Sequence, residues 1–226
     1  MSDLRLVIFD VDGTLVDSQA DILAAMGHAF AAVDLPAPSR EDILGIVGLS
    51  LEVAMPRLAP GLPADTYAEM VQGCKNSYIK LRAASGAAKS SPLYPNVRHV
   101  LDQLHAVPET LLGVATGKSR RGLDKLLEGH GLHSYFVTQQ VSDHHPSKPH
   151  PSMIETALSE TGVDPQNAVM VGDTSYDMEM ARAAGIAAIG VSWGYHPLDQ
   201  LSAAHRVIDD ILSLPALLST LWEPAS

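Results

Sequence analysis

The sequence predicts an α/β protein: a parallel sheet covered by helices on both faces, with a separate α-helical subdomain inserted into it. Three observations predict this. Short β-branched apolar runs alternate along the chain with one-face helical patterns, the mark of strand–helix–strand crossovers. Roughly a hundred residues separate the first run from the second, whereas a crossover with its helix needs only a few tens. The gap is itself helical in pattern, so it reads as an insertion rather than a loop.

Leu4–Phe9 is a buried strand by its composition, closed by the turn signal Asp12-Gly13-Thr14. The insertion follows. Ile22, Leu23, Met26, Phe30 and Val33 share one helix face, as do Tyr67, Met70, Val71, Cys74, Tyr78 and Leu81. Its exit is the Ala-Gly-Ser segment from Ala83 to Ser91, followed by Pro92 and Pro95, a composition suited to a hinge. The expected organisation is therefore core in 1–15, helical subdomain in 16–91 and core again in 92–226. Further strands are expected at Thr110–Ala115, Tyr135–Thr138, Ala168–Val171 and Ala187–Val191. Between them, helices are marked by Val97, Val100, Leu101 and Leu104, by Leu123, Leu126 and Leu127, and by Met153, Ile154, Ala157 and Leu158. The segment Ile211–Leu221 reads as an amphipathic helix interrupted by Pro215.

The chain has 226 residues, 46% of them apolar, enough for a sizeable core. With 15 basic and 26 acidic residues and a net charge of −11, it is poorly suited to nucleic acid or an anionic membrane surface, either of which needs a basic face. Cys74 is the single cysteine, so no intramolecular disulfide forms and a cytoplasmic setting is expected. The run Leu4–Phe9 is too short and too charged for a signal peptide or a membrane span.

The chemistry-bearing residues gather at strand ends. Asp10 and Asp12, at i and i+2 in Asp10-Val11-Asp12-Gly13-Thr14, stand where open parallel sheets place their ligands. Of two such carboxylates, one can serve as an ionised nucleophile and the other, part-protonated by its neighbour's charge, as acid and then base. Taken alone, Asp-x-Asp-Gly is also an ordinary turn. The second strand runs into Thr116-Gly117-Lys118-Ser119 and a helix, an anion site of hydroxyl and free N–H groups. A nucleotide P-loop is excluded, because only three residues separate Gly113 from Gly117. Lys118 reads as a solvated helix residue. Lys148, between Ser147 and Pro149 before the third helix, can supply fixed positive charge.

Gly172-Asp173-Thr174-Ser175-Tyr176-Asp177 repeats the logic of the first strand, with acids at its tip and four residues on. Carboxylate oxygens suit a hard Mg²⁺ ion; capping the next helix is the other use of acids there. The histidines His144, His145 and His150 invite a transition-metal reading but lack a cysteine partner or a matched second pair. Cys74 lies on an apolar stripe and belongs to the core. No zinc-protease, serine-hydrolase or dinucleotide motif occurs.

In this order the four pieces resemble the haloacid-dehalogenase superfamily, closest to its phosphoglycolate-phosphatase-like branch, over nearly the whole chain. Asp10, Asp12, Gly13 and Thr14 match motif one, Thr116 and Gly117 motif two, Lys148 motif three, and Gly172, Asp173 and Asp177 motif four. The resemblance implies a Rossmann-like core with a helical cap, and an Mg²⁺-dependent phosphatase acting on a small phosphorylated metabolite, with 2-phosphoglycolate leading. It implies Asp10 as nucleophile forming an aspartyl phosphate and Asp12 as the acid and base. It further implies Thr116, Gly117 and Lys148 on the phosphoryl oxygens, and Asp10, the Asp12 carbonyl and Asp173 around the metal, with Asp177 orienting the metal's water or the lysine. An Asp at position 12 favours phosphate transfer, because an alkoxide leaving group needs a proton.

Substrate choice is expected from the cap, where Gly48 in the loop Val47–Leu51 could close over the site and Arg57 could meet an anionic tail. Gly48 as a plain turn and Arg57 as a surface residue are the alternatives. The tail Ser192–His196 could line the same crevice. A sugar phosphomutase of the β-phosphoglucomutase type uses the same acids and stays open, as does a non-catalytic binding protein of the same fold. The expected partners are a small phosphorylated metabolite, with no nucleic acid and no membrane, for a monomer or homodimer.

Overall fold

The computed structural model describes residues 4–222; the outermost residues of the expected core segments, 1–3 and 223–226, lie outside that range. The chain runs β1 (Arg5–Phe9), then α1 (Gln19–Ala31), α2 (Arg40–Leu44), α3 (Leu51–Leu58), α4 (Ala64–Ser85) and α5 (Ala87–Ser90) without a strand. It continues with α6 (Val97–His105), β2 (Thr110–Thr116), α7 (Arg120–His130), β3 (Phe136–Val141), α8 (Ser152–Thr161), β4 (Ala168–Gly172), α9 (Ser175–Ala183), β5 (Ala187–Val191), β6 (Arg206–Ile208) and α10 (Leu214–Trp222). The sheet order is β3-β2-β1-β4-β5-β6, with every pairing parallel. This is a Rossmann-like core with a helical cap. The order reverses beside β1, so a crevice opens at the carboxyl ends of β1 and β4, the place where such sheets bind ligands.

Alternate residues of β1 bury on opposite faces. Val7 and Phe9 pack with Val100, Leu101, Leu104, Leu123 and Leu127 of α6 and α7. Leu6 and Ile8 pack with Met153, Ile154 and Met178 of α8 and α9. The inserted helices hold a third cluster, in which Ile22, Met26 and Phe30 of α1 meet Met70, Val71 and Cys74 of α4. No helix among the described residues is long and apolar enough to cross a membrane.

The two chain segments that connect core and insertion lie side by side. Val16 bridges both Asp12 and Leu93, the Asp17 N–H donates to the Pro92 carbonyl at 2.9 Å, and the Tyr94 N–H to the Leu15 carbonyl at 3.0 Å. The insertion therefore begins and ends on one hydrogen-bonded ribbon.

Three local expectations differ from the structure. The stretch Ala83–Ser91, read as a hinge, is largely helical: α4 continues to Ser85, Gly86 turns at φ +79°, and α5 follows. Its alanines, Ala83, Ala84, Ala87 and Ala88, are the strongest helix formers. Strand β3 begins at Phe136 and runs on to Val141, because a sheet edge tolerates polar residues; Gln140 donates to Glu160 at 2.8 Å. Pro215 stands in the first turn of α10 and does not interrupt it, since the N–H that proline lacks has no partner there anyway.

Candidate active site

Asp10 follows the last residue of β1 and is held from behind, its N–H donating to the Val171 carbonyl at 2.9 Å. Its side chain is 2% exposed. Oδ1 accepts from the Lys148 ammonium at 2.6 Å, and Oδ2 has no hydrogen-bond partner. Lys148 reaches in from the loop before α8, fully buried, and also donates to Asp177 Oδ1 at 2.6 Å. One ammonium therefore bridges two carboxylates, one just past the end of β1 and the other in the first turn of α9.

Asp177 caps the helix, one of the two uses the sequence leaves open, and also holds the lysine. Its Oδ2 accepts from the Thr174 N–H at 3.1 Å and the Thr174 hydroxyl at 2.7 Å, closing a capping box at the start of α9, while Oδ1 holds the lysine. Asp173 stands at the tip of β4. Its Oδ1 accepts from the Thr14 hydroxyl at 2.9 Å and its Oδ2 from the Tyr195 N–H at 2.8 Å. The space around it is closed by backbone: a Cβ at Gly13, whose φ is +86°, would lie 2.2 Å from Asp173 Oδ2, and one at Gly194 would lie 2.1 Å from Asp173 Cβ. Only glycine fits in either place.

Oxygens of Asp10, Asp173 and Asp177 lie within 4.8 Å of one another, the one group among the described residues with the donor set for a metal. The histidine loop forms no such group: His145 is tied to the Ser152 hydroxyl at 2.8 Å and Gln140 Oε1 at 2.9 Å. Burial first, then Lys148 pulling down and Asp177 pushing up, leave the Asp10 carboxyl at about 7. Burial and the charges of Asp10 and Asp177 push Asp173 well above the carboxylate range. Burial opposes the charge on Lys148, but Asp10 and Asp177 outweigh it and raise its pKa.

Asp12 is turned away from this trio. Its Oδ1 accepts from the Ser18 hydroxyl and lies 2.7 Å from the Lys118 ammonium. Lys118, expected in solvent, is largely buried in this ion pair, because the tip of β2 lies beside the loop after β1. With all groups ionised, four carboxylates meet two ammoniums, an excess of two negative charges. That excess, the unpartnered Asp10 Oδ2 and the hard oxygen donors fit a small divalent cation.

Thr116 is buried at the tip of β2 with its hydroxyl oxygen accepting the Lys118 N–H at 3.2 Å. At Gly117 a Cβ would come within 2.6 Å of the Gly48 carbonyl oxygen, so the cap loop presses directly on the second motif. The Ser50 N–H donates to Ser147 Oγ at 2.9 Å, and the Tyr176 hydroxyl to the Gly45 carbonyl at 2.9 Å. Asp10, Asp12, Thr116, Gly117 and Gly48 line one cavity of about 620 Å³ between cap and core. Arg57 does not line it; its guanidinium lies 5.6 Å from the Tyr176 ring centroid and donates to the Tyr176 hydroxyl at 3.2 Å. From the tail, Tyr195 reaches the site through Asp173 and through its hydroxyl, which accepts the Ser18 N–H at 2.9 Å. Lys118, read from the sequence as solvated, and Ser18, left unassigned, are both site neighbours; their one signal is adjacency to the first two motifs.

Residues 7–191 match the profile described as haloacid dehalogenase-like hydrolase. The chain is 40% identical over 212 residues to a Dickeya dadantii protein named probable phosphatase IndB, covering 92% of this chain and 90% of that one. It is 31% identical over 207 residues to a Vibrio parahaemolyticus phosphoglycolate phosphatase, covering 90% of each. Among solved structures, a haloacid dehalogenase-like family hydrolase from Streptococcus pneumoniae superposes with a TM-score of 0.81 at 27% identity, over 96% of this chain and 99% of that one.

Proposed function

The chain belongs to the haloacid dehalogenase-like hydrolase family and is a phosphoric monoester hydrolase, and on that premise we propose that it is an Mg²⁺-dependent phosphatase working through an aspartyl phosphate on Asp10. The observation that carries this reading is the Asp10 carboxylate itself: one oxygen is fixed by the Lys148 ammonium, the other has no partner, and two further acids stand beside it.

Asp10 attacks the phosphorus of the ester, forming the acyl phosphate as the bond to the alkoxide oxygen breaks. Asp12 gives its proton to that oxygen, then takes one from the water that attacks the same phosphorus and frees Asp10. Lys148 and the Thr116 hydroxyl, with backbone N–H groups at Gly117, offset charge on the phosphoryl oxygens. Asp177 holds Lys148 in place. Asp10 and Asp173 would hold the cation, with the carbonyl of Asp12 as a further ligand and Asp177 nearby. When bound, the ion removes repulsion between the anionic nucleophile and the anionic phosphoryl group.

The same reading takes residues 16–91 as the cap and 1–15 with 92–226 as the core, in a cytoplasmic protein that acts on a small phosphorylated metabolite. Relatives named phosphoglycolate phosphatase support 2-phosphoglycolate as the first metabolite to assay; the 40% identical relative carries no substrate in its name. The test is p-nitrophenyl phosphate turnover in Mg²⁺, in EDTA and with Asp10→Asn, together with analysis of the products formed from 2-phosphoglycolate and from a sugar phosphate. Release of inorganic phosphate that needs both the ion and Asp10 supports the proposal. An isomerised sugar phosphate with little free phosphate would instead point to a mutase, and metal-independent turnover that survives Asp10→Asn would overturn the reading.

A further inference from the structure

The cavity over Asp10 is larger and less polar than a phosphoryl group requires. Its volume of about 620 Å³ lies within the roughly 300–1,000 Å³ of pockets that hold drug-sized organic molecules. Asp10, Asp12 and Thr116 form one end, whereas the cap side is walled by Ile22, Met26, Val47, Leu49, Tyr78 and Ile79. Three of its lining cations are already paired: Lys118 with Asp12 at 2.7 Å, Lys75 with Glu52 at 3.1 Å and Lys125 with Glu128 at 2.6 Å. Arg121 lines the cavity from an exposed position on α7, and Arg57 is outside it. A two-carbon acid phosphate would fill only the Asp10 end of the chamber, leaving the apolar cap side chains against water. Apolar walls gain free energy when an apolar group displaces that water.

From this lining we infer that the substrate is a phosphate monoester of a bulky, mainly apolar alcohol, whose body packs against the cap side chains while its phosphate meets Asp10. The inference rests on the phosphatase reading and narrows its substrate class. Polar edges of the alcohol have Gln72 and Glu52 within the same lining, so one or two hydroxyl or amide groups are compatible with it.

The full-length, Mg²⁺-loaded protein should be assayed on n-alkyl phosphates from ethyl to hexyl, on 1-naphthyl phosphate, on 2-phosphoglycolate and on acetyl phosphate. We expect kcat/KM to rise about three- to fourfold per methylene, the factor corresponding to about 0.8 kcal/mol. Hexyl phosphate, whose alkoxide leaves no more readily than that of 2-phosphoglycolate, should exceed 2-phosphoglycolate by tenfold or more. Ile79→Glu, at a side chain 40% exposed on α4, should lower the ratio of naphthyl to acetyl phosphate turnover at least tenfold. A flat alkyl series, a preference for 2-phosphoglycolate over every ester, or an unmoved ratio overturns the inference. If acetyl phosphate and all the esters fail together, the failure lies with Asp10 as nucleophile, and the substrate class falls with it.

Discussion

Replacing Lys148 by methionine keeps an unbranched stem and deletes the one cation between Asp10 and Asp177. Each of its contacts is 2.6 Å long and its side chain is fully buried, so without metal the variant leaves two carboxylates facing each other with nothing between them. Removing one partner of a buried pair costs about 3–5 kcal/mol. At about 2–4 °C per kcal/mol for a chain of this size, Tm should fall by roughly 6–20 °C. The pH dependence follows from Asp10, already held at about 7 by burial, with Lys148 opposing and Asp177 assisting. A carboxyl whose folded pKa exceeds its unfolded value binds protons more tightly when folded, so its contribution to stability is lost as pH rises toward the folded pKa. Deleting Lys148 removes the opposing charge, and the loss of Tm in EDTA should therefore be larger at pH 8 than at pH 5.5, with Mg²⁺ recovering part of it. Turnover of p-nitrophenyl phosphate should drop about 10²–10³-fold. Lys148→Arg should not restore it, because the planar guanidinium has a different shape and reach. A variant that melts within 2 °C of wild type in EDTA at pH 8 and keeps its rate within threefold would show that the bridging ammonium is not what holds these acids together.

Three further outcomes are expected. Gly13→Ala places a methyl group 2.2 Å from Asp173 Oδ2 at a φ of +86°, so Mg²⁺ affinity and kcat should each fall at least tenfold; titration calorimetry reads the first, and retention of both would mean that Asp173 has room to move. Asp12→Asn should slow alkyl phosphate hydrolysis far more than acetyl or p-nitrophenyl phosphate hydrolysis, since only a poor leaving group needs the proton; equal losses count against Asp12 as the acid. Burial, and next the charge of His144, lower the pKa of His145, so its unfolded form binds the proton better and stability should decline as pH falls below about 6.5; His145→Asn should flatten the Tm profile between pH 7.5 and 5.5, and an unchanged profile would assign that slope elsewhere.

The strands that carry the site were readable because each is a short apolar run ending in an acid or a hydroxyl, and period-2 burial leaves that composition little choice. Edge structure was harder. β6 is three residues long with Arg206 and Val207 exposed, so no hydrophobic run marks it, and the polar half of β3 resembles a loop. The acids of the site were legible as residue types at strand tips, and their convergence follows from the parallel topology. The pairing of Lys118 with Asp12 was not, because it depends on the register of β2 against β1, which no local pattern encodes. Arg57 shows the converse: charge and chain position direct it to the substrate, while packing lays it on Tyr176.

The ribbon formed by residues 15–17 and 92–94 bears on how such a protein can diversify. Because the chain leaves and returns across a single ladder spacing, about 5 Å, the span to be closed is the same whatever lies between. Doubling the length of a closed segment adds only about 0.6 kcal/mol of entropy cost. The sheet therefore sets little limit on the size or architecture of its guest, and a lid grafted between residues 17 and 92 could give this chemistry a different clientele while the strand register stays as it is.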